Sequence, residues 1–143
     1  MRDAKQAPIL CFADSNIWLY TLLDEQDAQK ANLAKLVIQQ NNIVISTQVI
    51  NEICVNLIRK AKFDEAKIQA LIESLYNRYP VVPINREALL KASELRQRYQ
   101  FSFWDSLIVA CTLAADATIL YSEDMDTSLT VEGRLRIANP LVH

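Results

Sequence analysis

The sequence predicts an α/β fold in which helices cover both faces of a mainly parallel sheet. Short, continuously apolar runs, typical of buried strands, alternate with longer amphipathic segments. Such an alternation builds βαβ units, whose right-handed crossovers place the helices in two layers. The chain has 143 residues, 51% of them apolar, so we expect residues 1–143 to form one domain with its own core.

The strands are predicted from short apolar runs, several of them rich in β-branched residues. The first, "ILCFA", is continuously apolar, and the third, "VVPI", contains a proline that favours an edge position. The predicted strands span residues 9–13, 43–46, 81–84, 118–122 and 134–139.

The helices are predicted from apolar residues that recur at intervals of three and four. The segment "TQVINEICVNLIRKAK" keeps this rhythm throughout, and the helix after it stops at Pro80. The predicted helices span residues 16–23, 26–41, 47–62, 63–79, 86–100 and 104–116.

Composition excludes several classes of site. A single glycine, Gly133, rules out both a GxGxxG fingerprint and a Walker A loop. The three cysteines lie in apolar runs and the one histidine is His143, so core thiols are favoured over disulfides or a zinc site. These cysteines are Cys11, Cys54 and Cys111.

Charge and hydropathy say little about partners. The net charge of −2 and the pI of about 5.4 give no support to nucleic-acid binding, although a local patch or bound cations would suffice. No apolar run reaches the roughly 18 residues that span a bilayer, and the N-terminus lacks a signal-peptide pattern. We therefore expect a cytoplasmic protein without membrane contact.

Four acidic residues stand near the ends of predicted strands. Asp14 directly follows the first strand, and Asp124 lies just past the strand at 118–122. Glu52 is near the start of the helix after the second strand, and Asp105 opens the helix that leads into 118–122. Ligands of such sheets bind beyond the carboxyl ends of the strands, so the four side chains are predicted to meet there.

Each acid has a structural alternative. Asp14 is a favourable N-cap for the first helix, and the segment from Ser102 to Asp105 fits a capping box. Glu52 fits the solvated edge of its helix, and Asp124 fits an acidic turn, "SEDMD". These interpretations explain the acids singly and leave their shared position unexplained.

A metal site explains the four acids together. At about 5 Å and an effective dielectric of about 20, each pair of carboxylates repels by roughly 3 kcal/mol, and a divalent cation reverses that sign. Oxygen ligands suit Mg²⁺ or Mn²⁺ rather than zinc, and such an ion activates water for attack on a phosphate. Neutral groups nearby include Ser15, Asn16 and Ser122. Ordinary turn and cap chemistry is favoured for Ser106, and core packing is favoured for Trp104.

The sequence resembles the PIN-domain family, specifically the VapC-like toxins of bacterial toxin–antitoxin pairs. This resemblance implies a three-layer α/β/α sandwich and an endoribonuclease that depends on Mg²⁺ or Mn²⁺. It also implies an RNA substrate, a homodimer and a cognate antitoxin that inserts a peptide near the site and binds operator DNA. The segments that carry it are "FADSNIWLY", "ISTQVINEICVNL", "FSFWDSLIVACTLAADATILYSEDMD" and "EGRLRIANP".

The family's acids fall on the same four residues. The resemblance assigns three of them as metal ligands, directly or through water, and Glu52 to a second metal, its water or the attacking water. The three ligands are Asp14, Asp105 and Asp124. Ser15 and Asn16 stand where the family often has Thr and Asn, and Ser122 precedes the last acid by two residues.

Some features leave alternatives open. Asp126 and then Glu123 follow Asp124 in preference as the last acid, and "AADAT" replaces the glycine common in the family's connector. A non-catalytic interaction module on the same scaffold and a housekeeping RNA-processing nuclease remain alternatives. Aspartyl-phosphate chemistry at Asp14 is disfavoured, because the haloacid-dehalogenase pattern requires aspartate where Asn16 stands.

Overall fold

A computed structural model describes residues 9–23 and 27–142 of the chain. Within these residues each of the first three strands is followed by a pair of helices, and the last three strands follow one another. In chain order the elements are β1 (Leu10–Ala13), α1 (Ser15–Leu22), α2 (Ala28–Gln40), β2 (Asn42–Ser46), α3 (Thr47–Ala61), α4 (Glu65–Arg78), β3 (Val81–Val82), α5 (Arg86–Arg98), α6 (Phe103–Ala114), β4 (Ile119–Tyr121), β5 (Thr130–Val131) and β6 (Leu135–Ala138).

The strands form one sheet in the order β3-β2-β1-β4-β6-β5. All pairings are parallel except that of β5 with β6, and Phe12 of β1 lies between Val44 and Leu120 in register. Chain order reverses at β1, which has β2 on one side and β4 on the other. The crevice beyond the carboxyl ends of β1 and β4 is therefore where a ligand site belongs in a sheet of this kind.

The helices form two packed groups. Helix α1 packs against α2 and α3, α3 packs against α4, and α5 packs against α6. Apolar side chains from the central strands and α6 are fully buried between them, among them Phe12, Val109, Leu120 and Ile137. The predicted mainly parallel sheet flanked by helices is confirmed.

The edges of the sheet differ from the prediction. The proline-containing run at 81–84 gives a strand of only Val81–Val82, and this strand does lie at an edge. The other edge, β5, was not predicted: residues 132–134 join it to β6, with Arg134 N donating to Val131 O at 3.1 Å. Glu132 and Gly133 have φ of 53° and 68°, as a type I′ turn requires.

Two further expectations concern cysteines and membranes. The three cysteines are free and buried, as expected of core thiols. No helix within the described ranges is long and apolar enough to cross a bilayer. The start of the predicted helix at 26–41 and His143 involve residues outside those that the structure describes.

Candidate active site

Asp14 lies at the carboxyl end of the central strand and caps α1. Its backbone N–H donates to Tyr121 O of β4 at 3.0 Å, and its Oδ1 accepts from Ile17 N at 3.4 Å. The side chain is 9% exposed and also accepts a hydrogen bond from Ser122. The capping interpretation is thus correct, and it places the carboxylate in the crevice between β1 and β4.

Two residues in the first turn of α1, next to Asp14, form hydrogen bonds to acids from other elements. Asn16 Nδ2 donates to Asp124 Oδ2 at 3.0 Å, which ties the loop after β4 to this helix. Ser15 makes a side-chain hydrogen bond to Glu52 of α3. Residues 14–16 therefore organise three of the four predicted acids.

Asp105 lies in the first turn of α6, and the side chain of the N-cap residue Ser102 holds it there. Its backbone N–H donates to Ser102 Oγ at 3.1 Å, and its carboxylate accepts a hydrogen bond from the same serine. The side chain is half-buried and is repelled by Asp124. Capping thus fixes this carboxylate beside the others.

The acids form an uncompensated negative cluster. Burial, together with the charges of Asp124 and Asp105, raises the pKa of Asp14 to about 6. Burial also raises the pKa of Asp105 and of Glu52, with Asp124 repelling the first and Asp105 the second. Among the described residues, no lysine or arginine contributes to any of these three pKa values.

The four carboxylates do not meet at one point. Within residues 9–23 and 27–142, no three acidic, histidine or cysteine side chains are close enough to hold a metal ion as they stand. The donor set still suits Mg²⁺ or Mn²⁺, since it consists of oxygen atoms without a competing cation. Mg²⁺ keeps several of its waters and needs only one or two direct carboxylates, so this arrangement fits it.

The other two acids of the loop have structural contacts. Glu123 forms an ion pair with Lys30 at 2.5 Å and accepts from Tyr20 Oη at 2.9 Å. Asp126 Oδ1 accepts from Ser128 N at 2.9 Å and from its hydroxyl at 2.6 Å, and these bonds lower the pKa of Asp126. Neither acid is among the causes that shift the pKa of Asp14, Glu52 or Asp105.

The neutral side chains near the acids divide into two groups. Ser122 is fully buried, and its Oγ accepts from Met125 N at 3.2 Å. Its hydroxyl donates to the Asp14 carboxylate and so orients that carboxylate. Ser106, by contrast, donates to Phe103 O and accepts from Arg96 Nη1, both at 2.7 Å. The structural interpretation of Ser106 is therefore correct.

Trp104 was expected in the core, and that expectation is wrong. Its side chain is 62% exposed, although it continues the apolar sequence of α6. The continuously buried part of α6 begins at Ser106. Trp104 lies in the first helical turn, where the helix projects beyond the neighbours that cover its later residues.

Gln48 is a site residue that the sequence did not reveal. It is 4% exposed, lies one helical turn before Glu52 and hydrogen-bonds to that carboxylate. Its Nε2 also donates to Trp104 O at 3.4 Å, which links α3 to α6. The sequence did offer one signal for Gln48, since it is an amide on the apolar face of a helix, four residues before the candidate ligand Glu52.

Family comparison agrees with this geometry. The sequence model for the PIN domain matches residues 11–130. The chain belongs to the PIN-domain family. The matched region contains most of β1, all of β4 and the four acids of the crevice.

Solved structures with the same PIN fold include components of toxin–antitoxin systems. A toxin–antitoxin complex from Klebsiella pneumoniae is 17% identical with a TM-score of 0.68, over 91% of this chain and 97% of that one. VapC20 of Mycobacterium tuberculosis, a toxin that cleaves the sarcin-ricin loop, is 21% identical with a TM-score of 0.68, over 87% and 98%. VapBC2 of Rickettsia felis, bound to promoter DNA, is 18% identical with a TM-score of 0.65, over 92% and 98%.

Identities this low make the likeness one of fold. A comparison with curated proteins finds no match.

Proposed function

We propose that this PIN domain is a metal-dependent endoribonuclease and acts as the toxin of a toxin–antitoxin pair. One observation carries the proposal: carboxylates from the ends of β1 and β4 and from α3 and α6 repel one another, and no cation is among the causes that shift the pKa of Asp14, Glu52 and Asp105. Proteins keep such a cluster where a cation is to be bound, because repulsion otherwise destabilises the fold.

The residues have distinct roles in this proposal. Asp14 and Asp124, with Asp105, hold a hard divalent ion directly or through water. When bound, the ion neutralises the phosphate and activates water for in-line attack. Glu52 orients the attacking water or holds a second ion, and its bonds to Gln48 and Ser15 fix the carboxylate for this task. Ser122 and Asn16 position Asp14 and Asp124.

The partners follow from the neighbours in the fold. Several are toxin–antitoxin complexes, some bound to DNA, and one is a toxin that cleaves the sarcin-ricin loop. We therefore propose RNA as substrate, an antitoxin protein as inhibitor and a homodimer as the assembly. A short upstream gene for a small DNA-binding protein is expected beside a toxin gene, whereas RNA-processing neighbours would indicate a housekeeping nuclease.

Cleavage by the purified protein tests the proposal. We expect RNA to be cut with Mg²⁺ or Mn²⁺ and to remain intact with excess EDTA, with activity restored by added Mn²⁺. Because water is the nucleophile, the products should carry no 2′,3′-cyclic phosphate, which distinguishes them from those of contaminating metal-independent ribonucleases. Cleavage that persists in EDTA contradicts metal dependence. Absence of both cleavage and Mn²⁺ binding by calorimetry favours a non-catalytic interaction module.

A further inference from the structure

A cavity of about 340 Å³ opens directly beside the acidic cluster. Glu52 belongs to its lining, so the cavity and the candidate catalytic site share a wall. Gln48, Asn51 and Val55 line it from α3, and Ile84 and Trp104 line it from the other side. Its edge is fixed in place, because Thr47 Oγ1 accepts from Ile84 N at 3.2 Å.

Trp104 gives the cavity an accessible aromatic face. The indole is 62% exposed and immediately precedes Asp105, one of the four acids. Tryptophan is usually well buried, and an exposed ring loses contact area with the core. Aromatic rings of this kind stack on the unpaired bases of single-stranded nucleic acids.

Gln48 supplies an acceptor that has no donor. Its Oε1 finds no hydrogen-bond partner among the described residues, although the side chain is nearly fully buried. The Nε2 of the same amide is engaged by Trp104 O, which keeps the amide at the wall of the cavity. A buried acceptor without a partner is rare in folded proteins and indicates that a ligand or water supplies the missing N–H or O–H group.

The charge of the lining selects the kind of ligand. As far as the structure describes the chain, no lysine or arginine lines the cavity, whereas amides, aliphatic groups and an indole do. An anionic phosphate would meet only Glu52 there, without a positive charge. A planar, neutral group with polar edges fits better, since its face contacts Trp104 and its edge reaches the amides.

We propose that this cavity binds an unpaired nucleobase of the RNA next to the phosphate that is cleaved, with the base stacked on Trp104 and hydrogen-bonded by Gln48. The inference rests on the proposed function, because it takes RNA as the substrate. Binding of a base in the cavity would help to determine which phosphate of the single strand lies at the four acids and is cleaved. Stacking accepts any base, and the amides at the wall discriminate among base edges.

Binding without cleavage tests the proposal. In the Asp14→Asn protein with Mg²⁺, the affinities for octaadenylate, octacytidylate and octauridylate are measured by fluorescence anisotropy. Adding Trp104→Ala should weaken binding of at least one octamer about tenfold or more, whereas Trp104→Phe should stay within about threefold. The chain has two tryptophans, so NMR should show the indole N–H signal of Trp104 shifting and that of buried Trp18 staying in place.

Phe103→Ala is the matched control. Phe103 is 71% exposed and adjacent in sequence, its ring lies under the Arg96 guanidinium at 3.9 Å, and it does not line the cavity. This variant should change affinity less than about twofold. Three results would each overturn the proposal that this cavity binds a base. They are equal affinities with and without Trp104, no binding of any octamer, and a loss of binding that accompanies dissociation of a dimer in sedimentation. If the wild-type protein does not cut RNA with Mg²⁺ or Mn²⁺, the proposed function fails, while the Trp104 comparison still tests whether the cavity binds a base.

Discussion

Asp14→Asn is expected to reduce RNA cleavage by about a thousandfold or more at saturating Mg²⁺. Asp14 is the most buried acid of the crevice and is repelled by two of the others, so it lies at the centre of the proposed ion site. Asparagine has nearly the same shape and still accepts the capping bond from Ile17, so the fold should persist. Single-turnover cleavage of a labelled RNA measures the effect.

Asp126→Asn provides the matched control for this loss. It makes the same chemical change on an exposed acid whose oxygen accepts from Ser128, and asparagine keeps that acceptor. Its rate should stay within about threefold of the wild type, whereas Asp124→Asn should lose about tenfold or more. A fully active Asp14→Asn protein would contradict the assignment of Asp14. An Asp126→Asn protein as inactive as Asp124→Asn would transfer the last acid's role to Asp126.

Asp14→Asn is also expected to stabilise the metal-free protein by about 3 kcal/mol near neutral pH. Burial raises the pKa of Asp14 from 3.8 to about 6, so ionisation of this side chain opposes folding in the absence of a cation. The folded protein binds more protons than the unfolded chain between these two values. The destabilisation is therefore absent below about pH 4, grows as the pH rises and is complete above about pH 6.

Urea unfolding in EDTA at several pH values measures this difference. The two proteins should be equally stable near pH 4, and the free energy of unfolding of the variant should exceed that of the wild type increasingly up to about pH 7. Added Mn²⁺ should stabilise the wild type and leave the variant unchanged, because only a bound ion offsets the repulsion. A variant that is less stable than the wild type at neutral pH, or a gain independent of pH, would contradict an uncompensated carboxylate at this position.

Asp14→Asn is thus expected to lose activity and to gain stability, and this combination indicates a functional residue. A residue that weakens the apo protein but is required for cleavage is a common property of active sites, where activity is kept at the expense of stability. A simple N-cap would do neither, because an aspartate that only caps a helix stabilises the protein in its ionised form.

Much of the architecture could be predicted from the sequence, because local pattern and chain order carry it. The apolar runs that become β1, β2 and β4 are short and continuous, as buried parallel strands are. An acid after β1 and another after β4 point to the same edge of the sheet. The sequence could not show that Asn16 and Ser15 would tie Asp124 and Glu52 to the first turn of α1, because those contacts depend on how α1 packs against its neighbours.

The features that escaped prediction depend on tertiary contacts or on very short elements. Strand β5 has two residues, too few for a periodic pattern, and only the Glu132-Gly133 pair marked its turn. Trp104 looked like a core residue because the apolar sequence of α6 does not reveal where its neighbours stop covering it. Gln48 was overlooked because a lone amide on an apolar face signals a partner only when the opposite wall is known.

Anomalous diffraction from crystals of the wild-type protein soaked in Mn²⁺ tests the central claim most directly. The account predicts a peak between Asp14, Asp105 and Asp124, with at least one carboxylate oxygen at about 2.1 Å from the ion and the others linked through water. A map without a peak in this crevice, or one in which a lysine or arginine side chain fills the space between the acids, would contradict it.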